Sequence, residues 1–375
     1  MFLPDFPPTD EALAERIAAL DLAAYSRSRN RLDGAVSKLS PYLTHGMVRV
    51  PEVIAGLRSR GPLPTTHKFV LELAWREYFH HVWTRRGEAI FDPLGPLPGR
   101  AYRPRLAEDL RTARTGVPVI DHAVRTLYGT GYLHNHLRLW LASYAVHLRK
   151  VDWRTGAAWM YGHLLDGDLP SNHLSWQWVA GTLTGKPYLF NAENVERHAP
   201  ALASRGTVLD QGYEALERIA ASGDDVGPDR AAGIPAPPPP LLDLPADLGS
   251  GHGRLPETPF VLSHPWDLAR HDVPGVVLLL PGFHRRWPWS ATRWAFLRQR
   301  LALLRRTAVR FDGNTLPPGT PARAVLADHP LYDPVLASAA NCAPAPRYFA
   351  NPVEPCRSFS AFWRRVGAGA GSTAP

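Results

Sequence analysis

The chain has 375 residues, 45% of them apolar, and 42 Lys and Arg against 34 Asp and Glu give a formal charge of +8. That balance excludes a disordered chain, and the longest aliphatic run, Val276 to Leu280, is too short for a membrane-spanning helix. The basic excess, with twelve tryptophans, favours a polyanionic partner, nucleic acid first, whereas two cysteines without C-x-x-C spacing speak against zinc or iron–sulfur sites.

Met1-Phe2-Leu3-Pro4-Asp5 lacks the basic and apolar regions of a secretory signal, so a soluble, cytoplasmic protein is expected. Thr9 is placed to cap a helix over Asp10–Leu20, with Leu13, Ile17 and Leu20 on one face. A basic stretch, Arg27, Arg29 and Arg31, ends at the turn Asp33-Gly34. Ser40 then reads as an N-cap with Pro41 at N1. Such an entrance offers free N–H groups and a positive dipole end to a phosphate, and Ser37 and Lys38 add a hydroxyl and a cation.

Lys68–Trp83 reads as a helix on which Glu72, Trp75, Arg76 and Phe79 share a face. A Glu and an Arg among aromatics must pair or face a polar cavity. Asp92–Pro104 is a loop, Leu106–Thr112 a short helix, and Asp121–Leu127 and Leu133–Arg149 are helical by apolar spacing. The last carries His134, Asn135, His136 and Arg138 in mid-helix, which is not the ββα-metal setting of an H-N-H nuclease. A helix over Gly212–Ala221 closes this part.

Pro228–Gly253, with Pro237 to Pro240, reads as a semi-rigid linker. Phe260–Leu262 and Val276–Leu280 then read as buried strands. Ser290 caps a basic helix to Arg306, with Trp294, Leu297, Leu301 and Leu304 inward, and Val309–Phe311 returns as a strand. This is the pattern of a βαβ unit. A short helix, Ser358–Val366, ends the pattern. The fold class expected is mainly α: a helical domain over 1–227, a linker over 228–254, and a small α/β domain over 255–375.

The stretch that organises the chain is Asp166–Trp178, D-G-D-L-P-S-N-H-L-S-W-Q-W. Two carboxylates sit in a Gly-broken turn between helices, Asp168 placed to cap the second. A calcium loop would need several more oxygens, and neither a D-x-D-x-D-G continuation nor a terminal Glu follows, so no metal is expected. The order of acids, amide and indoles resembles the flavin-binding signature of the DNA photolyase and cryptochrome family. S-K-L-S-P-Y-L-T-H-G (37–46) resembles the family's diphosphate-holding segment. The likeness covers roughly Tyr25 to His198.

The resemblance implies an all-helical domain with FAD as cofactor. Tyr25, Ser37, Lys38, Leu39 and Ser40 would hold the diphosphate and ribityl region. Arg138 would pair with Asp166, while Asp166 and Asp168 bond the flavin and ribose parts. Asn172 would face flavin N5, where photolyases carry Asn and several cryptochrome groups carry Cys or Asp. Trp75 and Trp178 would line the lesion pocket, with Glu72 on a pyrimidine dimer and Asn135 as its polar neighbour. Arg29, Arg76, Phe79 and His136 would complete the DNA-binding face. Enzymes for the (6-4) lesion carry His at the positions of Asn135 and Leu139, so the cyclobutane dimer is the lesion expected, although Leu139 also replaces the usual Met. Trp176 and Trp153 match the inner and middle members of the family's electron chain. Its outer member falls at Arg100, so the chain is cut or ends on Tyr102. Family members begin with an α/β antenna domain, whereas here only Trp287–Leu301, beyond the flavin part, resembles a portion of one. The expectation is therefore a light-driven cyclobutane-dimer photolyase acting on ultraviolet-damaged DNA, or alternatively a flavin photoreceptor without repair.

Overall fold

The computed structural model describes residues 5–96, 101–227, 234–249, 255–271, 273–338 and 342–367. Arg100 and the linker residues 228–233 and 250–254 lie outside the described residues. In chain order the helices are α1 (Asp10–Ala19), α2 (Leu22–Ser28), α3 (Ser40–Thr44), α4 (Val50–Arg58), α5 (Lys68–Arg86), α6 (Glu108–Arg111), α7 (Pro118–Thr130), α8 (Asn135–Ser143), α9 (Trp153–His163), α10 (Leu169–Ala180), α11 (Ala192–His198), α12 (Tyr213–Ala221), α13 (Pro281–Arg286), α14 (Ala291–Leu304), α15 (Asp333–Leu336) and α16 (Phe359–Val366). The strands are β1 (Leu241–Leu242), β2 (Phe260–Ser263), β3 (Gly275–Leu279), β4 (Trp289–Ser290), β5 (Thr307–Arg310), β6 (Ala322–Ala327) and β7 (Cys342–Pro344). The described chain is mainly helical, and no helix in it is long and apolar enough to cross a membrane. By contact it divides into a helical unit, 21–36 with 88–240, and a mixed unit, 1–20 and 37–87 with 241–375.

In the helical unit α7 to α10 pack around a core of Trp140, Tyr144, Trp153, Trp159, Met160 and Trp176. Local chemistry sets their ends. The Asp152 carboxylate caps α9 by accepting from Arg154 N at 2.8 Å, and α10 ends at Gly181 in the left-handed region. The helix expected over Leu133–Arg149 runs without a break from Asn135 to Leu148, but not as α-helix throughout. α8 gives way to a π-turn over Tyr144–Leu148, and Lys150 takes a positive φ of 52°. The wider turn lets the buried Lys150 ammonium donate to the His147 and Ile219 carbonyls at 2.7 and 2.6 Å, which satisfies two helix ends at once. His134 is not in mid-helix either. It caps α8, its Nδ1 accepting from His136 N at 3.1 Å while its Nε2–H donates to the Arg29 carbonyl at 2.9 Å.

In the mixed unit a parallel sheet runs in the order β5-β3-β2-β6-β7. β3, α14 and β5 form the βαβ unit read from the sequence, with Val277 opposite Ala308. Ser290 caps α14, accepting from Arg293 N at 3.3 Å. Chain order reverses between β2 and β6, the arrangement that opens a crevice at the strands' carboxyl ends in doubly wound sheets. Here Arg49 fills that place: its Nη1 meets Asp328 at 2.5 Å and its Nη2 meets Asp267 at 2.8 Å. The segment read as linker is not wholly extended. Leu241–Leu242 pairs antiparallel with Trp289–Ser290, and Leu248 is buried.

Candidate functional site

Within the helical unit, the loop between α9 and α10 places the two acids. Gly131, the left-handed cap of α7 (φ 68°), lets its carbonyl accept from Leu165 N at 2.7 Å. A Cβ on Gly131 would lie 3.3 Å from the Leu165 side chain, so a larger residue would push this loop outward. Held there, Asp166 has only 1% of its side chain exposed. Arg138 Nη2 donates to both its oxygens, at 3.0 and 2.7 Å, while Arg138 Nε donates to the Leu133 carbonyl at 2.9 Å. Burial works against the guanidinium charge, but Asp166 outweighs it and raises the Arg138 pKa. Arg138 Nη1 makes no hydrogen bond among the described residues, and 24% of the side chain stays exposed. The pair thus keeps a donor in hand.

Asp168 caps α10 as expected, accepting from Ser171 N at 3.2 Å and from the Ser171 hydroxyl. Asn172, one turn on, is buried and donates its Nδ2 to the Ala157 carbonyl at 2.8 Å. That bond orients the amide, so Oδ1 is the end left for a donor. The sequence did not single out Gln177. Its buried amide donates to the carbonyls of Ile90 and Asp92 and accepts from Leu94 N, all near 3 Å, tying the 90–94 loop to α10. A polar residue between two indoles was its signal.

Trp176 and Trp153 are both buried, and the Trp153 indole N–H finds no acceptor among the described residues. A Cβ at Gly156 would lie 2.3 Å from the Trp176 ring, so the glycine lets that indole sit directly on α9, one turn beyond Trp153. Tyr102 is half-buried against the same core. It is fixed beside the start of α9 because Arg103 N donates to the Lys150 carbonyl at 2.6 Å and Asp152 N donates to that of Arg103 at 2.8 Å. Trp178 is half-buried on Tyr188, with centroids 5.2 Å apart. Asn135 is exposed, Arg29 half-buried and Tyr25 buried. Burial, with His134, His198 and Arg29 nearby, pushes His136 down to about 4, so it brings no charge at neutral pH.

The mixed unit holds the remaining positions. α3 begins at Ser40 itself, one residue before the sequence reading, with Leu39 as cap and no side-chain cap bond. Ser37 Oγ accepts from Leu39 N at 3.4 Å, and Lys38 is exposed at φ 50°. On α5, Glu72 is exposed and Arg76 half-buried. Trp75 stacks on Phe359 of α16, while Phe79 is buried against Trp75 and Tyr78. The deeply buried acid of α5 is Glu77, which the sequence reading passed over. Its oxygens accept from Tyr348 N and Phe349 N at 2.9 and 2.8 Å, and burial pushes it up to about 7 against those bonds.

Comparison with known proteins finds a match over part of the chain. Residues 69–208 match the sequence model of the FAD binding domain of DNA photolyase. A deoxyribodipyrimidine photo-lyase of Streptomyces griseus is 38% identical over 166 residues, 44% of this chain and 36% of that protein. A cryptochrome DASH of Ostreococcus tauri, chloroplastic/mitochondrial, is 34% identical over 190 residues, 48% of this chain and 35% of that one. A solved Synechocystis cryptochrome structure is similar over 53% of this chain and 44% of its own, with 28% identity and a TM-score of 0.48. The chain thus spans little more than a third of the length of the two curated relatives.

Proposed function

We propose that this protein is a member of the DNA photolyase and cryptochrome family, whose FAD-binding domain residues 69–208 resemble, and that it binds FAD and reverses cyclobutane pyrimidine dimers in ultraviolet-damaged DNA under light. The observation that carries the flavin part is the buried Arg138–Asp166 pair with its spare guanidinium donor, beside Asp168 and Asn172. The donor set fits the group. Asp166 and Asp168 supply acceptors for ring and ribose, Asn172 Oδ1 an acceptor for the N5 side, and Ser37 to Ser40 donors for a diphosphate. Tyr25 joins that last group. When bound and fully reduced, FAD supplies the electron that light drives into the dimer.

The remaining roles belong to side chains. Trp75 and Trp178 wall the lesion, each base–aromatic stack contributing roughly 1–3 kcal/mol. Glu72 hydrogen-bonds the dimer as charge builds on it, so Glu72 acts on splitting more than on binding, and Asn135 offers the dimer a further polar group. Photolyases are among the recognised base-flipping enzymes, and the pocket reads an extruded base. Arg29 and Arg76 approach phosphates, Phe79 backs the platform from the core, and His136, neutral, contacts DNA without charge. Trp176, Trp153 and Tyr102 relay electrons inward. The same proposal takes 1–227 as the catalytic domain, 228–254 as linker and 255–375 as an α/β domain, in the cytoplasm.

Cryptochrome DASH relatives at similar identity favour the rival reading of a photoreceptor without repair. The deciding experiment illuminates chemically reduced protein with near-ultraviolet light and a dimer-containing oligonucleotide. Reversal of the dimer is expected, with Glu72→Ala lowering its quantum yield at unchanged flavin content. Flavin photochemistry without reversal sinks repair and leaves the photoreceptor.

A further inference from the structure

We propose that Phe359 is a positioning residue for the lesion platform, backing Trp75 so that its indole is held ready for a base. The inference rests on the reading of Trp75 given above. Trp75 and Phe359 lie 4.0 Å apart between centroids at 8°, closer and flatter than the usual aromatic pair. Tyr78 and Phe79, from the same helix as Trp75, reach it at 5.8 and 5.5 Å and at steeper angles, 79° and 46°. One face of the indole is therefore taken by a residue from the far end of the chain. One turn beyond Phe359, Trp363 continues the column at 6.1 Å and 17°.

α16 does not depend on this stack for its place. Phe362 and Val366 are its buried anchors, and Ser358 caps it, accepting from Ala361 N at 3.2 Å. Phe362 packs on Tyr78 and His81, with centroids 5.6 Å away in each case. The segment leading into α16 is sewn to α5 by Glu77, as described, and by His81. The His81 Nδ1–H donates to Asn351 Oδ1 at 2.6 Å, and its Nε2 accepts from Cys356 N at 3.0 Å. Phe359 itself is half-exposed, as is Trp75. A half-exposed aromatic pair adds little to a core, whereas an indole fixed beforehand loses less rotamer freedom when a base stacks on its other face.

The test uses the full flavin-loaded chain with Phe359→Ala, Phe359→Leu and Phe359→Tyr. Near-ultraviolet circular dichroism, with Trp75→Phe as reference, reports the stack without reference to repair. Phe359→Ala and Phe359→Leu should lose the Trp75 signal, and Phe359→Tyr should keep it. Binding is read as the ratio of affinities for dimer-containing and undamaged oligonucleotides. Phe359→Ala should lower that ratio roughly three- to tenfold. Phe359→Leu, which retains apolar bulk, should lower it less, and Phe359→Tyr should restore it. Flavin content and splitting yield at saturating lesion should not change. A Phe359→Ala variant that binds the dimer as tightly as the parent overturns the proposal, and one that binds it more tightly makes Phe359 a cover. If the parent itself shows no preference for dimer DNA, the lesion reading of Trp75 falls and the positioning role falls with it. If the parent discriminates and the Ala and Leu variants match it, this proposal alone falls.

Discussion

Arg49 in the mixed unit and Arg138 in the helical unit are both drawn into the protein by carboxylates, yet they are finished differently. Arg49 spends one Nη on Asp267 and the other on Asp328, and Asp328 is met again by His264 at 3.1 Å. Burial opposes both Arg49 and His264 as cations, but the two acids outweigh it and raise both. Arg138 has one carboxylate, one carbonyl and a donor left over. The first cluster joins residues 218 and 279 positions apart and closes its charges; the second joins residues 28 apart and leaves capacity toward solvent. The clamp meets its arginine with two carboxylates, whereas the open site gives its arginine one. The predictions below test that contrast.

The largest effect is expected at the clamp. Asp328→Ala leaves His264 without its carboxylate and Arg49 with one, which should cost about 3–5 kcal/mol in denaturant unfolding. A loss of less than ~1 kcal/mol, the scale of a surface pair, would erase the distinction. At the open site, Asp166→Ala strands Arg138, but partial exposure softens the penalty to roughly 2–3 kcal/mol. Its main consequence is functional. Flavin released on heating should be FAD from the parent and nearly absent from the variant, and unchanged pigment would remove Asp166 from the cofactor site.

The two clusters were also unequally legible. Asp166, Gly167 and Asp168 lie in one turn between apolar helices, and a cap plus a nearby Arg can be read from residues a few tens apart. Nothing local announces that Arg49 belongs with Asp267 and Asp328, because strand order and pairing carry no periodic signal across two hundred residues. The same limit explains α5. Periodicity marked Glu72 and Arg76 as acid and base among aromatics, but which acid is buried depends on the segment 345–356 packing over the helix, and that makes it Glu77. Leu241 and Leu242 were hidden likewise, since a strand partner 47 or 49 residues on cannot be seen in a proline-rich stretch. The βαβ unit, by contrast, is short and locally complete.

Glu77 sharpens the contrast through pH. Its folded pKa, pushed up to about 7 by burial, lies above the ordinary 4.5. The stability it contributes is therefore full below 4.5 and lost as pH rises through 7. Against Glu77→Gln, which cannot titrate, the parent should lose about 3 kcal/mol of relative stability between pH 4.5 and 8. His264 tends the same way and is present in both proteins, so it cancels. A pH-independent difference would show that the Tyr348 and Phe349 N–H groups keep Glu77 ionised in spite of burial.

The smallest effect separates packing from electron supply within the helical unit. Gly156→Ala puts a methyl 2.3 Å from the ring of Trp176, a side chain only 2% exposed and with nowhere to retreat. Overpacking of this kind should destabilise by roughly 1–3 kcal/mol. The clash falls where Trp176 rests on the turn that begins at Trp153, so the two indoles should shift apart while Arg138, Asp166 and Asn172 keep their partners. Flavin content should then stay near that of the parent, and light-driven reduction of oxidised flavin should slow. Dimer reversal by chemically reduced protein should not change, because it needs no electron from the protein surface. If photoreduction keeps its rate despite the lost stability, electrons reach the flavin by a route other than Trp153 and Trp176. If reversal by reduced protein falls as well, the ring movement has spread to Asn172, whose Nδ2 donates to Ala157, the residue beside the new methyl.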